Sequence, residues 1–265
     1  MKNKVIAFFT IFTLILTAYS LFVEPNRLVV THYVISDKEL SGIRIAFLSD
    51  FHIKPYQEKR LERIVELVNT ENPDIILSVG DFVAGHTHNS TMPIENIAKY
   101  LSKMKSKYGF YTTLGNHDGW YGSEKITKAL EQNGIHVLAN ENLKLNIDGK
   151  TIYLAGIEDM MTGNADIQST LSKTQTPAIL LSHTPDIFPK VWENVSLTLA
   201  GHTHGGQIRI PLLGSIFTAS KYGNKYAKGY IVERGKKIII TTGIGVSVLP
   251  IRFNCLPEIV IINFQ

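Results

Sequence analysis

The stretch Ile45-Ala46-Phe47-Leu48-Ser49-Asp50-Phe51-His52 is the clearest guide to the fold of this 265-residue chain. Its four apolar residues predict a strand buried on both faces, and a carboxylate and an imidazole follow directly. The segments Ile75–Asp81 (IILSVGD) and Leu180–His183 (LLSH) repeat this arrangement. Because the carboxyl ends of strands in an open α/β sheet share one edge, we expect these polar side chains to converge there.

Strand and helix patterns alternate along much of the chain. Strands are predicted at Ile43–Leu48, Asp74–Val79, Tyr108–Leu114, Ala178–Ser182 and Ser196–Ala200. Apolar residues at helical spacing follow the first two strands, and a helix that Ser123 caps and Gly134 ends is expected after the third. This alternation is typical of an α/β fold with helices on the faces of its sheets.

Two hairpin signatures add antiparallel strands to this pattern. The first hairpin pairs Leu143–Ile147 with Thr151–Ile157 around Asp148-Gly149-Lys150, and the second pairs Ile231–Glu233 with Ile238–Thr242 around Arg234-Gly235-Lys236. We therefore predict an α/β fold in which two mixed β-sheets pack face to face with helices on both outer faces, a four-layer αββα sandwich.

The N-terminal segment has the composition of a membrane anchor. Val5–Val23 is uncharged and mostly apolar, and it is long enough to cross a bilayer as a helix. We interpret residues 1–26 as the anchor and residues 27–265 as the functional domain. A cleaved signal peptide is the alternative, because Ala18-Tyr19-Ser20 has a small-x-small pattern, although the apolar run continues beyond it.

The flanking charges leave the side of the membrane open. Lys2 and Lys4 precede the apolar run and favour a cytoplasmic N-terminus, but Arg27 and Lys38 follow it closely enough to weaken that bias. We predict a single-pass protein of a bacterial cytoplasmic membrane whose domain lies on a side that the sequence does not determine.

Overall composition restricts the possible partners. The net charge is +4, and the basic residues are scattered rather than grouped in a run, so no nucleic-acid partner is expected. The single cysteine, Cys255, cannot form an intramolecular disulfide, and we predict that it is a small buried residue. No segment indicates an obligate protein partner.

The polar residues at the strand ends have the chemistry of a metal site. Asp50 and His52, two positions apart, are expected to leave the strand end on the same side. Asp81 has two carboxylate oxygens and is able to bridge two ions. The remaining candidates supply one amide oxygen and three imidazoles: Asn116, His183, His202 and His204. Such ligands, without a thiolate, suit manganese, iron, zinc or cobalt better than calcium.

These residues belong to five motifs in a fixed order: Asp50-Phe51-His52, Gly80-Asp81, Gly115-Asn116-His117-Asp118, His183 and Gly201-His202-Thr203-His204. The combination resembles the calcineurin-like metallophosphoesterase superfamily, and the resemblance extends from Ile43 to the C-terminus. It implies a phosphoester hydrolase with two divalent metal ions, manganese foremost, and makes residues 27–265 the catalytic domain.

The resemblance also divides the ligands between the two ions: Asp50, His52 and His204 hold one, Asn116, His183 and His202 hold the other, and Asp81 bridges them. It leaves His117 to protonate the leaving oxygen or to stabilise charge on the phosphoryl group. Asp118 then either orients that imidazole or caps the following helix at the surface.

The residues after the second motif argue against a phosphoprotein substrate. Protein phosphatases of this superfamily carry Asp and Arg after that motif, whereas this chain has Gly80-Asp81-Phe82-Val83-Ala84-Gly85. The anchor, the complete Gly-Asn-His-Asp motif and the Gly243–Pro257 tail resemble membrane-anchored bacterial phosphodiesterases, a branch related to enzymes that split UDP-diacylglucosamine in lipid A synthesis. The soluble pyrophosphatases of that pathway carry arginine where His117 stands, so this chain departs from them.

Three functions follow from these observations. The first is hydrolysis of a phosphodiester or pyrophosphate, with a lipid-linked substrate such as UDP-diacylglucosamine as the specific hypothesis. That nucleotide sugar is cytoplasmic, which conflicts with an exported domain. A generic phosphodiesterase or nuclease, and a membrane-tethered binding protein with an inactive site, are the alternatives. The complete ligand set favours activity.

Two further segments each have more than one interpretation. Leu212–Phe217 and the basic, aromatic Lys221–Lys228 are typical of a β-hairpin, but they also suit a wall of the cleft or a patch that meets anionic lipid headgroups. His86-Thr87-His88 has the spacing of the His202 and His204 pair but lies in a polar loop, so we interpret it as surface.

Overall fold

The computed structural model describes every residue of the chain except His86 and His88. Its helices are α1 (Lys2–Ala18), α2 (Glu58–Glu71), α3 (Ile94–Leu101), α4 (Asn116–Glu131) and α5 (Ile167–Leu171). Its strands are β1 (Val29–Ile35), β2 (Arg44–Leu48), β3 (Ile75–Ser78), β4 (Phe110–Thr112), β5 (Ile135–Val137), β6 (Glu141–Ile147), β7 (Lys150–Gly156), β8 (Ala178–Ser182), β9 (Val195–Ala200), β10 (Arg209–Ile210), β11 (Gly214–Ser215), β12 (Gly229–Glu233), β13 (Lys236–Ile240) and β14 (Glu258–Phe264).

Two mixed six-stranded sheets form the centre of the fold. The first has the order β1-β14-β2-β3-β4-β5 and the second the order β12-β13-β9-β8-β7-β6. Strands β2 to β5 run parallel, as do β7, β8, β9 and β13, whereas β14 is antiparallel to β2, β6 to β7 and β12 to β13. The two predicted hairpins and the predicted mixed sheets are therefore confirmed.

Successive side chains of a strand point to opposite faces of its sheet, so the hydrophobic core is divided into separate clusters on the two faces. Phe47 of β2 faces the second sheet and packs in one cluster with Leu181 of β8, whereas Leu48 faces outward onto α2 and α3. On the outer face of the second sheet, Leu180 packs with Leu171 of α5 and with residues of 3₁₀ turns. The four layers are present, with a thinner helical layer on the second sheet.

Some element boundaries differ from the sequence-based prediction. The helix after β4 begins at Asn116 rather than after Ser123, because the Gly-Asn-His-Asp motif itself forms its first turn. Gly122, with φ of 128°, interrupts the helix just before Ser123. The parallel pair formed by β1 and β14 was not predicted, although it brings the start and the end of the domain together.

The N-terminal helix ends against the domain. After α1, the chain continues through a π-helical turn, Tyr19–Val23, and a 3₁₀ turn, Glu24–Asn26. By length and composition, Lys2–Asn26 could cross a membrane. The Arg252 amide donates to the Ser20 carbonyl (3.0 Å), and the buried Glu24 carboxylate accepts from the Cys255 amide (2.6 Å). The end of the helix is thus hydrogen-bonded to the domain.

Candidate metal centre

All seven predicted metal ligands lie together at the carboxyl ends of the strands. Asp50 and His52 follow β2, Asp81 follows β3, Asn116 opens α4 after β4, His183 follows β8, and His202 and His204 follow β9. His202 is half-buried, and the other six are at most 5% exposed. Convergence at one sheet edge, as expected from the strand pattern, therefore brings these residues into one site.

The first group of ligand atoms comes from the loops after β2 and β9. His52 Nε2 lies 3.0 Å from His204 Nε2. Asp50 Oδ1 lies 3.4 Å from His204 Nε2 and 4.0 Å from His52 Nε2. Two imidazole nitrogens and one carboxylate oxygen therefore face a common point.

A second group lies beside the first and comes from α4 and the loops after β8 and β9. His183 Nε2 is 2.9 Å from Asn116 Oδ1 and 3.1 Å from His202 Nδ1. The other nitrogen, His183 Nδ1, is 2.7 Å from the Val79 carbonyl. A hydrogen bond from Nδ1–H to that carbonyl turns Nε2 towards the centre. In the neutral imidazole Nε2 carries a lone pair, and this arrangement is typical of metal-bound histidine.

Asp81 lies between the two groups. Its Oδ2 is 3.4 Å from His52 Nε2 and 3.4 Å from His183 Nε2. Its Oδ1 instead accepts a hydrogen bond from the His117 amide at 2.8 Å. One carboxylate oxygen thus faces both groups while the other is held by the backbone.

Cation binding requires a neutral imidazole, and burial favours that form at His52 and His202. Burial lowers the pKa of His52 to about 3 and that of His202 to about 4. Burial also acts to lower the pKa of His183, but the Asp81 carboxylate outweighs it and raises that pKa to about 10. His183 therefore carries a proton beside Asp81, and a cation bound there would take the place of that proton.

The donor set fits divalent cations. Two imidazole nitrogens 3.0 Å apart, as in the His52 and His204 pair, share at most one proton between them. A cation between such lone pairs satisfies both, and carboxylate and imidazole donors are those that manganese, iron and zinc accept. Among the described residues, ligand atoms of Asp50, His52 and His204, and of Asp50, Asp81 and His183, lie close enough together to hold an ion.

The backbone at the site is strained. Five of the seven predicted ligands have left-handed φ angles: Asp50 (53°), His52 (43°), Asp81 (56°), His202 (68°) and His204 (50°). Such conformations cost non-glycine residues about 1–3 kcal/mol each and cluster at functional sites. Asp50 and His52 do lie on the same side, as their spacing predicts, but strand alternation is not the reason. Their side chains meet because the chain turns left-handed at both residues.

Hydrogen bonds between the ligand loops hold this conformation. The Asp50 amide donates to the Gly80 carbonyl (2.9 Å), and the His52 amide donates to the Asp81 carbonyl (3.0 Å). Gly80 has φ of 87°, and a Cβ there would lie 2.1 Å from the Gly115 nitrogen. The glycine of the second motif is thus required both by its conformation and by the approach of the third motif.

His117 lies at the edge of the centre. Its ring packs edge-on against that of His52, with the ring centroids 4.5 Å apart, and against Trp120 at 5.3 Å. It lines the open cleft together with Asp81 and Asn116. This position leaves the imidazole beside the two ligand groups and open to the cleft.

Asp118 caps the following helix, which is one of its two predicted roles, but it does so in the interior of the protein. It is fully buried rather than at the surface, and both carboxylate oxygens accept from backbone amides. Oδ2 accepts from Asp81 (2.7 Å) and Gly115 (3.1 Å), and Oδ1 accepts from Phe82 (2.9 Å) and Val83 (3.4 Å). Asp118 is therefore a positioning residue that holds the Asp81 loop against the start of α4.

Replacing Asp118 with asparagine is expected to lower activity about 10- to 100-fold, as for loss of an outer-shell partner of a metal ligand. The asparagine NH₂ group would face two amide donors, which leaves them unpaired and destabilises the fold by about 1–3 kcal/mol. Activity and the thermal unfolding midpoint measure both effects. The control is Asp166→Asn, because Asp166 caps α5 through a single oxygen that asparagine retains. Equal behaviour of the two variants would contradict the positioning role.

Arg252 supports the site but was not identified from the sequence. Its guanidinium is fully buried and donates to the carbonyls of Thr242, Gly243, Gly245 and Cys255. The loop that it holds packs behind the first metal-ligand motif, where the Ile244 amide donates to the Ser49 carbonyl (3.0 Å). A lone arginine in the sequence carries no signal for this role.

Cys255 is buried, as predicted, and its thiol hydrogen-bonds the His204 carbonyl at 3.3 Å. The cysteine therefore lies directly behind a predicted ligand, although it is distant from it in sequence.

A cleft of about 810 Å³ opens over the centre. Its floor is polar, and one wall is apolar with Trp120, Met161, Ile216, Phe217, Val248 and Leu249.

The hairpin expected around Leu212–Phe217 is limited to β10 and β11, and Ile216, Phe217 and Lys221 line the cleft instead. The surface interpretation of His86-Thr87-His88 falls on a segment whose two histidines lie outside the described residues.

Similarities to known proteins agree with this geometry. Residues 43–206 match the family Calcineurin-like phosphoesterase. The chain is 31% identical to the uncharacterized metallophosphoesterase YkuE of Bacillus subtilis, over 93% of this chain and 89% of that protein. It is 30% identical to the phosphodiesterase YaeI of Escherichia coli, over 83% of this chain and 81% of that protein.

Two further similarities involve longer proteins. A zebrafish protein named transmembrane protein with metallophosphoesterase domain is 30% identical over 94% of this chain, which spans 60% of the relative. The solved NAD nucleotidase of Haemophilus influenzae superposes with a TM-score of 0.51 at 17% identity, over 77% of this chain and 45% of that structure, and shows the fold alone. The family match covers all seven predicted ligands, and the relatives align along most of this sequence. The chain therefore belongs to the calcineurin-like phosphoesterase family, whose members are phosphoester hydrolases that bind divalent metals.

Proposed function

We propose that the chain hydrolyses a phosphodiester or a pyrophosphate with two divalent cations, manganese foremost, held by the seven clustered side chains. The position of Asp81 carries this proposal, because its Oδ2 lies 3.4 Å from a nitrogen of each ligand group. One cation belongs to Asp50, His52 and His204, the other belongs to Asn116, His183 and His202, and Asp81 is shared. Iron, zinc and cobalt suit the same donors.

When bound, the cations would supply Lewis acidity to the phosphoryl group and to the attacking water. The chain supplies the remaining functions. The His117 imidazole holds a proton within reach of the cleft and transfers it to the leaving oxygen. Its backbone amide separately restrains Asp81 through a hydrogen bond to Oδ1. Lys221, exposed at the cleft wall, attracts an anionic substrate.

The apolar wall of the cleft supports a substrate with a hydrocarbon part. A lipid-linked pyrophosphate such as UDP-diacylglucosamine combines an anionic centre with acyl chains. Our specific proposal is therefore that the chain acts on such a substrate in lipid A synthesis. The similarity to phosphodiesterase YaeI favours the second candidate, a phosphodiesterase with another diester as its substrate. A tethered binding protein without activity has the least support, since every motif residue is present in the cluster.

We further propose that α1 is an uncleaved single-pass anchor in a bacterial cytoplasmic membrane. Ser20, Glu24 and Pro25 are buried against the domain, so cleavage after Ser20 would separate one of these contacts from the others. The zebrafish relative is named as a transmembrane protein, which agrees with an anchor. A reporter fused to the C-terminus identifies the side of the domain.

Hydrolysis is tested with the full chain in lipid nanodiscs, freed of metal by a chelator and then supplied with Mn²⁺. We expect activity on a chromogenic phosphodiester to disappear with chelation and to return with manganese, because the cations would supply the Lewis acidity for the reaction. Without a cation, the histidine nitrogens share protons instead. Release of UMP from UDP-diacylglucosamine, measured in the same samples, identifies the lipid-linked substrate.

Diester hydrolysis without UMP release would support the phosphodiesterase and exclude the lipid A substrate. Binding of two manganese ions without hydrolysis of either compound would favour the tethered binding protein. Full activity after complete removal of metal would contradict the proposed function.

A further inference from the structure

Six large apolar side chains stand exposed around the mouth of the metal cleft, and we call them the rim: Leu212, Leu213, Ile216, Phe217, Val248 and Leu249. Each is at least 50% exposed, and Leu212 and Val248 are almost completely so. Single exposed apolar residues are common, but a cluster of this size marks an interaction site. Four of the six also line the cleft, so whatever covers the rim meets the cleft opening.

The rim is tied to the metal centre. Gln207, three residues after His204, donates from Nε2 to the Ser247 carbonyl (2.9 Å) and accepts from the Ser247 amide at Oε1 (2.7 Å). The Gln207 carbonyl also accepts from the Phe253 amide (2.8 Å). The part of the rim formed by Val248 and Leu249 is thus held in a fixed position beside the loop that carries two predicted ligands.

The same loop is tied to the N-terminal helix. The Arg252 amide donates to the Ser20 carbonyl (3.0 Å), inside the last turns of the apolar run that ends at Val23. Leu249 is three residues from Arg252, which limits its distance from that contact to about 11 Å of extended chain. Phe22 and Val23 are themselves exposed, so apolar surface is present at the helix end and at the rim nearby.

We propose that the rim inserts into the lipid bilayer that holds α1, so that the metal cleft opens at headgroup level and takes the phosphoester of a membrane lipid. The helix end is hydrogen-bonded to Arg252, three residues after Leu249, so a bilayer that surrounds the helix lies close to the rim. Lys221 at the cleft wall then lies where headgroup phosphates are. The substrate class rests on the proposed hydrolysis, whereas the insertion does not.

Insertion is tested with the full chain in nanodiscs, using cysteines introduced one at a time as Leu213→Cys and Val248→Cys and labelled with an environment-sensitive fluorophore. Val34→Cys is the matched control, because Val34 is also exposed but lies away from the end of the N-terminal helix. The distance along β1 from Val29, the first residue of the strand after the helix, is about 17 Å. The unsubstituted chain, whose Cys255 is buried, reports background labelling. We expect blue-shifted emission at 213 and 248, quenched by lipids brominated in their acyl chains, and neither effect at 34.

Equal emission and equal lack of quenching at all three positions would overturn the insertion. A blue shift at 213 and 248 without quenching by brominated lipid would also overturn it, and would mean that a second copy or another protein covers the rim.

The substrate class is tested with the double variant Leu212→Ser/Leu213→Ser, whose side chains lie outside the cleft lining. Hydrolysis of a soluble chromogenic diester is expected to be unchanged, whereas hydrolysis of a phospholipid analogue embedded in vesicles should fall about tenfold or more. An equal rate on the embedded lipid would overturn the lipid substrate. If the unsubstituted chain hydrolyses neither compound, the proposed function fails, and the quenching result still decides the insertion.

Discussion

Replacing Asp81 with asparagine is expected to reduce phosphodiester hydrolysis by more than about 100-fold, because loss of even an outer-shell partner of a metal ligand costs about 10- to 100-fold and Asp81 is proposed as a ligand itself. Asparagine keeps the size of the side chain and an oxygen for the His117 amide. It places an uncharged NH₂ group where Oδ2 now faces both His52 and His183. Because that oxygen is shared by both ligand groups, its loss should lower bound manganese as well as activity. Elemental analysis of the purified protein and initial rates measure the two effects.

The matched control is Asp148→Asn, at an exposed carboxylate that accepts from Tyr108 in the β6–β7 turn. It removes the same charge far from the ligand loops and should leave metal content and rate unchanged. Retention of two manganese ions and of more than a tenth of the activity by the Asp81→Asn protein would contradict the bridging role.

Replacing His117 with alanine is expected to lower activity by about 100- to 10,000-fold on substrates with a poor leaving group, the range for loss of a general acid. The backbone amide that holds Asp81 is retained in this variant, so metal content should stay unchanged. A p-nitrophenyl ester, whose leaving group needs no proton, should lose much less rate than an alkyl ester. The comparison of two esters therefore separates proton transfer from binding.

His136→Ala is the control, since His136 is exposed and stacks on Tyr111 away from the site. A loss of the same size on both esters would assign His117 to stabilisation of phosphoryl charge instead of proton transfer. A fall in bound manganese would make it a ligand, which is a real alternative because its ligand atom lies close to those of His52 and Asp81.

The sequence was sufficient for the elements that depend on local patterns. Buried parallel strands read as apolar runs, and ligand-type side chains stood at their carboxyl ends, so both the strands and the seven clustered residues were identified. The hairpins at Asp148-Gly149 and Arg234-Gly235 followed from turn chemistry, and left-handed φ angles at all four residues show why. Such features depend on residues a few positions apart, which is the range that a pattern covers.

Asp118 shows where local patterns fail. Its position three residues into a motif is that of a helix cap, and the sequence therefore offered a cap or a partner for His117. Besides capping the helix through the Gly115 amide, its carboxylate accepts from three amides of the Asp81 loop, which lies more than thirty residues earlier in the chain. Only the packing of β3 beside β4 brings that loop to α4.

By itself, then, the sequence determined the α/β class, the mixed sheets, the apolar N-terminal helix and the identity of the clustered polar residues. The tertiary structure decided their geometry: left-handed ligand loops, a single Asp81 oxygen facing both groups, Arg252 behind Asp50, and an apolar rim tied to the helix end. The physical reason is that residue type and spacing encode strand burial and turn conformation, whereas contacts of this kind join segments that are, for example, 152 or 231 residues apart. These contacts contribute to the free energy of folding only once the two sheets have packed, so local propensities do not predict them.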